Sequence, residues 1–284
     1  MPGPQAVTEE LRRWIVAQAE AGCSADGLLA AMRAGGWEES VATQALESTL
    51  TEHLLRLGRP LPVVDGPAAL PEPSLQASSR VRVGEREVTV AAALRLPRVV
   101  VFAGLLADAE CQALIDLARP RLSRSQTVDH ATGGSEVNAA RTSEGMFFRR
   151  GETPLIERIE QRIAALLNWP VDRGEGLQVL RYGPGAEYRP HHDYFDPAQP
   201  GTAAVLSRGG QRVATLVMYL NTPEQGGATT FPETGLEVAA VRGHAVFFSY
   251  PRPDPATRTL HGGAPVLAGE KWVATKWLRQ GVFV

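Results

Sequence analysis

The sequence predicts a mainly β protein with flanking helices (α+β), its core a β-sandwich or jelly roll, preceded by a small helical domain. Three observations predict it. Residues 1–56 carry only helical periodicity, two further helical patterns follow near Asp108 and Thr153, and beyond Gly176 come short strand patterns broken by Gly, Pro and Asn. Helices followed by a long run of strands are expected to back a sandwich or jelly roll.

The first 56 residues read as a three-helix accessory domain. Thr8 is the candidate cap of the first helix, whose apolar face is Leu11, Trp14, Ile15 and Ala19 and whose stop is Gly22. Ser24 caps the second, carrying Leu28, Leu29 and Met32 and ending at Gly35-Gly36. Ser40 caps the third, carrying Val41, Leu46, Leu50 and Leu54. No catalytic side chain stands out here, and His53 reads as a surface or packing histidine. Such a module is expected to bind a partner, to self-associate or to cover an edge of the larger domain.

Residues 57–80 are rich in proline and small side chains and read as a linker; residues 81–284 form the larger domain. Its first strand candidates are residues 81–83, 88–90 and 98–102. The helix near Asp108 presents Cys111, Leu114, Ile115 and Ala118 on one face. The helix starting at Thr153 has Pro154 at its first position and buries Ile156, Ile159, Ile163 and Leu167. Between them, Ser123 to Phe148 is polar and glycine-containing and reads as a mobile loop. The strands that follow are LQVLRY, EYRPHHDYF, RVATLVMYL, LEVAAV, AVFFSY and KWVATKWL.

Hydrophobic content of 44% and a formal charge of -2 give no electrostatic reason to expect nucleic acid or an anionic membrane as partner. No apolar run reaches membrane-spanning length, and no basic segment precedes an apolar one at the start, so a cytoplasmic location is expected. Cys23 and Cys111 lie far apart, within or beside apolar helical patterns, and read as core thiols in a reducing compartment. Of 29 basic residues only two are lysines, Lys271 and Lys276.

The chemistry gathers in two places. In EYRPHHDYF, alternation along a strand sends His191 and Asp193 to one face and His192 to the other. An imidazole and a carboxylate on one face offer two metal ligands, and His261 in TLHGGAP is the candidate third. Two histidines and one carboxylate with the opposite positions open is the donor set of iron(II) oxygenases, whereas structural zinc wants four closed ligands. In KWVATKWL, Lys271 shares a face with Val273, Thr275 and Trp277. An inward ammonium calls for a buried anion, and a dicarboxylate co-substrate would supply one. Lys276, on the opposite face, is expected to be an ordinary solvated lysine. His130, His192 and His244 are expected not to be ligands.

The segments PRVVVFAGLLADAECQALIDLARPRL, RTSEGMFFRRG, GEGLQVLRYGPGAEYRPHHDYFDP, GGQRVATLVMYLNTPEQGGATTFPE, GHAVFFSY and LHGGAPVLAGEKWVATKWL run in order from about residue 97 to 280. Together they resemble the 2-oxoglutarate- and Fe(II)-dependent prolyl 4-hydroxylases of the collagen and plant type. The resemblance implies a double-stranded β-helix (jelly-roll, cupin-like) core and metal ligands His191, Asp193 and His261. It further implies that Lys271 pairs with the distal carboxylate of 2-oxoglutarate and that Tyr182 donates to the same carboxylate. Tyr188, Arg212 and Trp277 would line the substrate cleft, with residues 123–148 as a lid. The implied reaction uses O₂ and 2-oxoglutarate, with ascorbate as reductant, to hydroxylate a prolyl residue of a peptide or protein, releasing succinate and CO₂. A carboxylate at Asp193, where related halogenases have a small residue, favours hydroxylation. The alternatives are a 2-oxoglutarate hydroxylase acting on another residue or a small molecule, and a metal-binding scaffold without turnover.

Overall fold

The structure, a computed structural model, describes residues 7–21, 23, 25–56, 70–75, 79–125, 127–128, 134–136 and 141–284. The chain divides into two compact units, Met1–Pro67 and Ala68–Val284.

The first unit holds three helices, α1 (Glu9–Glu20), α2 (Ala25–Ala34) and α3 (Glu39–Arg56). The Thr8 side chain accepts the Leu11 amide at the start of α1, as the sequence suggested. Ser40 falls inside the first turn of α3 and so is not its cap, while Ser24, the expected cap of α2, lies outside the described residues. Ile15, Leu28, Met32, Ala42, Ala45 and Leu46 form the core of this unit. Two expectations fail at its surface. Trp14 is exposed, one residue before the fully buried Ile15. Cys23 is exposed too, its thiol directed at Gln18, so Cys111 is the buried thiol of the pair. His53 meets Glu20 at 3.3 Å.

The second unit opens with β1 (Arg80–Val83), β2 (Arg86–Leu94), β3 (Arg98–Ala103) and α4 (Asp108–Ala118). Then come β4 (Ser123–Arg124), β5 (Thr127–Val128), β6 (Ser135–Glu136), β7 (Glu144–Phe148) and α5 (Pro154–Leu167). The chain continues through β8 (Leu177–Tyr182), β9 (Tyr188–His191), α6 (Thr202–Leu206), β10 (Arg212–Tyr219) and β11 (Gln225–Gly226). It ends with β12 (Thr229–Phe231), β13 (Leu236–Val238), β14 (Ala245–Ser249), β15 (His261–Gly263), β16 (Val266–Ala268) and β17 (Lys271–Arg279).

Nine strands form one antiparallel sheet in the order β1-β2-β3-β14-β10-β17-β8-β7-β4, and four form a second in the order β13-β12-β15-β9. Two cores follow from period-2 alternation. From β17, Trp272, Ala274 and Leu278 join Ile115, Ile159 and Ile163 of α4 and α5 on one side of the large sheet. On the other side, Val273 joins Leu180, Tyr219 and Phe248, which pack with Phe231 of the small sheet. This is a jelly roll with helices behind the larger sheet, and the functional residues lie on the side away from the helices.

Two boundaries differ from expectation. Residues 70–75, assigned to the linker, pack on the second unit: the Glu72 amide donates to the Leu167 carbonyl and its carboxylate pairs with Arg98. Residues 144–148, assigned to a loop, are strand β7, held between β8 and β4. Of the remaining part of that loop, residues 126, 129–133 and 137–140, His130 among them, lie outside the described residues.

Candidate metal centre and co-substrate pocket

Strands β9 and β15 pair with His191 directly opposite His261, and their rings lie 4.4 Å apart. Asp193 does not share a continuous strand with His191. His261 is the first residue of β15, so the ladder has no partner to offer beyond His191, and the carboxylate arrives from a bend two residues on. The side chains nevertheless converge. One donor atom from each of His191, Asp193 and His261 lies within 4.8 Å of the others, and each Nε2 is 3.5 Å from a different Asp193 oxygen.

The tautomers are set by the backbone. Nδ1 of His191 lies 2.9 Å from the Arg189 carbonyl and Nδ1 of His261 lies 2.9 Å from the Thr259 carbonyl. A carbonyl only accepts, so each Nδ1 carries the proton and each Nε2 presents a lone pair to the shared point. For Asp193, burial would raise the carboxyl, but His261, His191 and Arg212 together hold it well below the usual carboxylate range. Burial pushes the His261 imidazole down to about 4, with Asp193 opposing. Two neutral imidazoles and one carboxylate on one side of a point can hold a divalent cation and leave its other face open.

Thr215 and Tyr250 are parts of this centre that the sequence reading missed. The Thr215 hydroxyl donates to Asp193 Oδ2 at 2.7 Å and sits 2.9 Å from the Tyr250 hydroxyl. Thr215→Val removes the donor that orients the carboxylate and leaves two buried oxygens with one partner fewer. We expect metal affinity to fall by roughly 10–100-fold in a Mn(II) titration, the range for a partner behind a ligand. An unchanged affinity would show that Asp193 is placed by the fold alone.

Lys271 lies where an inward lysine was expected. It is 4% exposed, and its Nζ stands 5.5 Å from the Tyr182 ring centre and 5.9 Å from that of Tyr219. A Cβ built on Gly263 would be 3.7 Å from this Nζ, so the ammonium lies against β15, two residues beyond His261. Among the described residues no carboxylate pairs with it, and burial alone takes its pKa down to about 8. A buried positive charge, unpaired among the described residues, thus lies near the His–Asp–His centre. Tyr182 is directly opposite Lys271 in the β8–β17 pairing.

Lys276 is a correction. It is 1% exposed rather than solvated: its Nζ donates to Glu160 of α5 at 2.5 Å and to the Glu175 carbonyl. All nine residues of β17 are buried, because α5 covers the face that was expected to meet water.

The cleft in front of the metal centre has a volume of about 1230 Å³ and contains all three expected substrate residues. The Tyr188 ring stacks on His191 at 3.6 Å, and burial drives its hydroxyl up to about 12. Arg212 lies 4.1 Å over the Trp277 ring and is gripped by Glu175 through two hydrogen bonds of 2.6 and 2.9 Å. Arg279 Nε sits 3.0 Å from the same carboxylate. Glu175 and Arg279 were not foreseen, although an acid between glycines at the head of an apolar strand was the available signal. His192 stacks on Tyr194 and His244 Nδ1 faces the Arg242 carbonyl, so neither joins the centre.

Residues 177–279 match the model of the 2OG-Fe(II) oxygenase superfamily. Over 208 residues, 66% of this chain and 71% of the other, the protein is 41% identical to probable prolyl 4-hydroxylase 3 of Arabidopsis thaliana. It belongs to the 2-oxoglutarate/Fe(II)-dependent prolyl 4-hydroxylase family. Another relative, prolyl 4-hydroxylase 1 of Arabidopsis thaliana, is 43% identical over 65% of this chain and 69% of its own. The crystal structure of a viral collagen prolyl hydroxylase from Paramecium Bursaria Chlorella virus-1, a 2OG complex, aligns with 64% of this chain and 95% of that one at 32% identity and a TM-score of 0.48. As a family member the protein is a 2-oxoglutarate-dependent dioxygenase, using Fe(II), 2-oxoglutarate and O₂. Its residues fit these partners: the three donors suit the metal, and the uncompensated ammonium suits a dicarboxylate.

Proposed function

We propose that this prolyl 4-hydroxylase family member hydroxylates a prolyl residue of a peptide or protein, with His191, Asp193 and His261 as its iron ligands and Lys271 as the anchor of 2-oxoglutarate. The single observation that carries the reading is a buried ammonium, without a carboxylate partner among the described residues, near a His–Asp–His centre whose His191 and Asp193 line the cleft. When bound, iron with O₂ supplies the oxidation that turns 2-oxoglutarate into succinate and CO₂ and places oxygen on a C–H bond.

The chain's own work is orientation and exclusion of water. Arg189 and Thr259 carbonyls fix the imidazoles, and Thr215 fixes the carboxylate. Lys271 would pair with the distal carboxylate of the co-substrate, with Tyr182, its neighbour across β8 and β17, as a second donor to it. Tyr188 and Trp277 line the cleft as aromatic walls for the substrate, their rings held in place by His191 and Arg212. Ascorbate is the reductant proposed for uncoupled cycles. A cytoplasmic setting is proposed as well, in keeping with the free thiols of Cys23 and Cys111; among the described residues no helix is long and apolar enough to cross a membrane.

Succinate release is the test. With Fe(II), 2-oxoglutarate and ascorbate, proline-containing peptides should raise succinate release above the peptide-free rate by at least about tenfold and should gain one oxygen on proline by mass spectrometry. Coupling to a small molecule alone, or no succinate under any condition, would overturn the reading. The first unit is proposed to recruit the protein substrate or to self-associate. Removing residues 1–56 should then depress activity on an intact protein more than on a short peptide, and equal effects would count against recruitment.

A further inference from the structure

The cleft is far more basic than the protein. The chain has 29 basic and 31 acidic residues, of which 27 are arginine. Yet nine of the 31 residues lining the cleft are arginines, and among the described residues its only acidic side chains are Glu175 and Asp193. Arginine is thus about three times as frequent there as in the chain, while acids are about half as frequent. The arginine-rich composition of the whole protein does not account for that opposite drift.

Both carboxylates are already committed. Glu175 is shared by Arg212 and Arg279, one negative charge between two positive ones. Asp193 faces the metal centre. Of the arginines nearer the rim, several are held by groups that carry no charge. Arg124 donates to the Thr142 carbonyl, and Arg150 donates to the carbonyls of Asp172 and Phe283. Arg149 is exposed and forms no salt bridge among the described residues. Arg141, bonded to Gln178, lies over the Tyr188 ring and so brings positive charge to within one aromatic ring of His191. Arg124 and Arg150 are thus oriented by neutral carbonyls and keep their charge for something else.

We propose that the segment hydroxylated by this protein is acidic, with Asp or Glu side chains flanking the target proline and meeting the arginines of the cleft rim. The inference rests on the prolyl hydroxylase reading for the target residue, and on the charge of the cleft for its neighbours. A peptide is favoured over a nucleic acid because the chain as a whole carries a net charge of -2 and lacks the broad basic field that a polyanionic backbone calls for. Rim pairs of this kind act through long-range attraction, raising association and choosing among partners, and are screened by salt.

The test uses the full chain loaded with Fe(II) and 2-oxoglutarate, and three proline peptides of equal length whose flanking residues are Glu, Gln or Lys. Each is also made with alanine in place of proline, and binding of all six is measured by fluorescence anisotropy alongside succinate release. At low ionic strength kcat/KM should be at least about tenfold higher for the Glu-flanked than for the Lys-flanked peptide, with the gap narrowing steeply by about 0.5 M salt. The pair Arg124→Glu and Arg149→Glu should reverse the order of the Glu- and Lys-flanked peptides, a result that simple misfolding does not produce. Equal binding and turnover of the three peptides, or an advantage for the Lys-flanked one, overturns the inference while leaving prolyl hydroxylation intact. Glu-flanked peptides that bind best without any proline-dependent turnover would instead sink the prolyl reading and support the acidic-segment inference. A single-stranded oligonucleotide that displaces the acidic peptide at physiological salt and near-equal concentration would overturn it.

Discussion

Lys271→Met is expected to yield a protein that unfolds at a higher temperature and no longer retains 2-oxoglutarate. The lysine is 4% exposed with no counter-ion among the described residues, and burial lowers its pKa from 10.5 to about 8. At neutral pH it remains charged, so folding carries a penalty of about 2–4 kcal/mol. A lysine depressed in this way costs its full penalty below pH 8, and the cost fades as pH rises from 8 to 10.5. The unliganded protein should therefore gain stability across that window, and the methionine variant should not. Saturating 2-oxoglutarate should invert the ranking, because the dianion supplies the missing charge and stabilises only the lysine form. Affinity for 2-oxoglutarate, measured without O₂ in the metal-loaded protein, should drop by at least about 100-fold in the variant, the scale of a lost buried charge-assisted contact. In the parent it should weaken as pH rises through about 8 and the ammonium is discharged. A variant that melts lower than the parent, or that binds the co-substrate equally well, would remove Lys271 from the role assigned to it.

The other lysine is expected to behave in the opposite way. Lys276 and Glu160 are 1% and 2% exposed and meet at 2.5 Å, with the Gly151 amide as a further donor to Glu160 at 2.8 Å. Burial lowers the Lys276 pKa, and Glu160 works against it. Removing either partner strands a charge in the core, so Lys276→Met and Glu160→Gln should each destabilise by about 3–5 kcal/mol in denaturant unfolding. The double variant Lys276→Met/Glu160→Leu should recover most of that loss, since an apolar pair replaces the ionic one. Single variants within about 0.5 kcal/mol of the parent would show that water reaches the pair. Two lysines five residues apart on one strand should thus separate cleanly, one proposed to cost stability for ligand binding and one joining the helix to the sheet.

That contrast also marks what the sequence could and could not say. Alternation along β17 correctly sent Lys271 and Lys276 to opposite faces, and it could not say whether the second face was wet. The composition held the answer: Trp272, Val273, Ala274, Trp277 and Leu278 occupy both parities, and a strand apolar on both faces is covered on both. The two histidines and Asp193 were legible chiefly through the order of the family-like segments around them; the structure brings their donor atoms together, although Asp193 arrives from a bend and not by strand alternation. Thr215, Tyr250, Glu175 and Arg279 were not, because each matters through a partner 22 or more residues away brought near by sheet order alone. The loop over 123–148 was half misread for a related reason. Its polar, glycine-containing pattern describes the segment before β7, whereas EGMFF packs by contact with β8.

The tripeptide Gly174-Glu175-Gly176 ties these observations together. A Cβ at residue 174 would come 2.5 Å from the Lys276 stem, and one at 176 would come 2.4 Å from the Phe148 carbonyl, so neither site admits a side chain. Between them the Glu175 main chain takes the Lys276 ammonium from behind and gives its amide to the Trp277 carbonyl, while its carboxylate grips Arg212 in front. Mechanical slack introduced on the helix side therefore has a short route to the cleft through Arg212, which also donates to the Asp193 carbonyl. Damage at Glu160 should surface in catalysis as a poorer KM for peptide well before the protein unfolds.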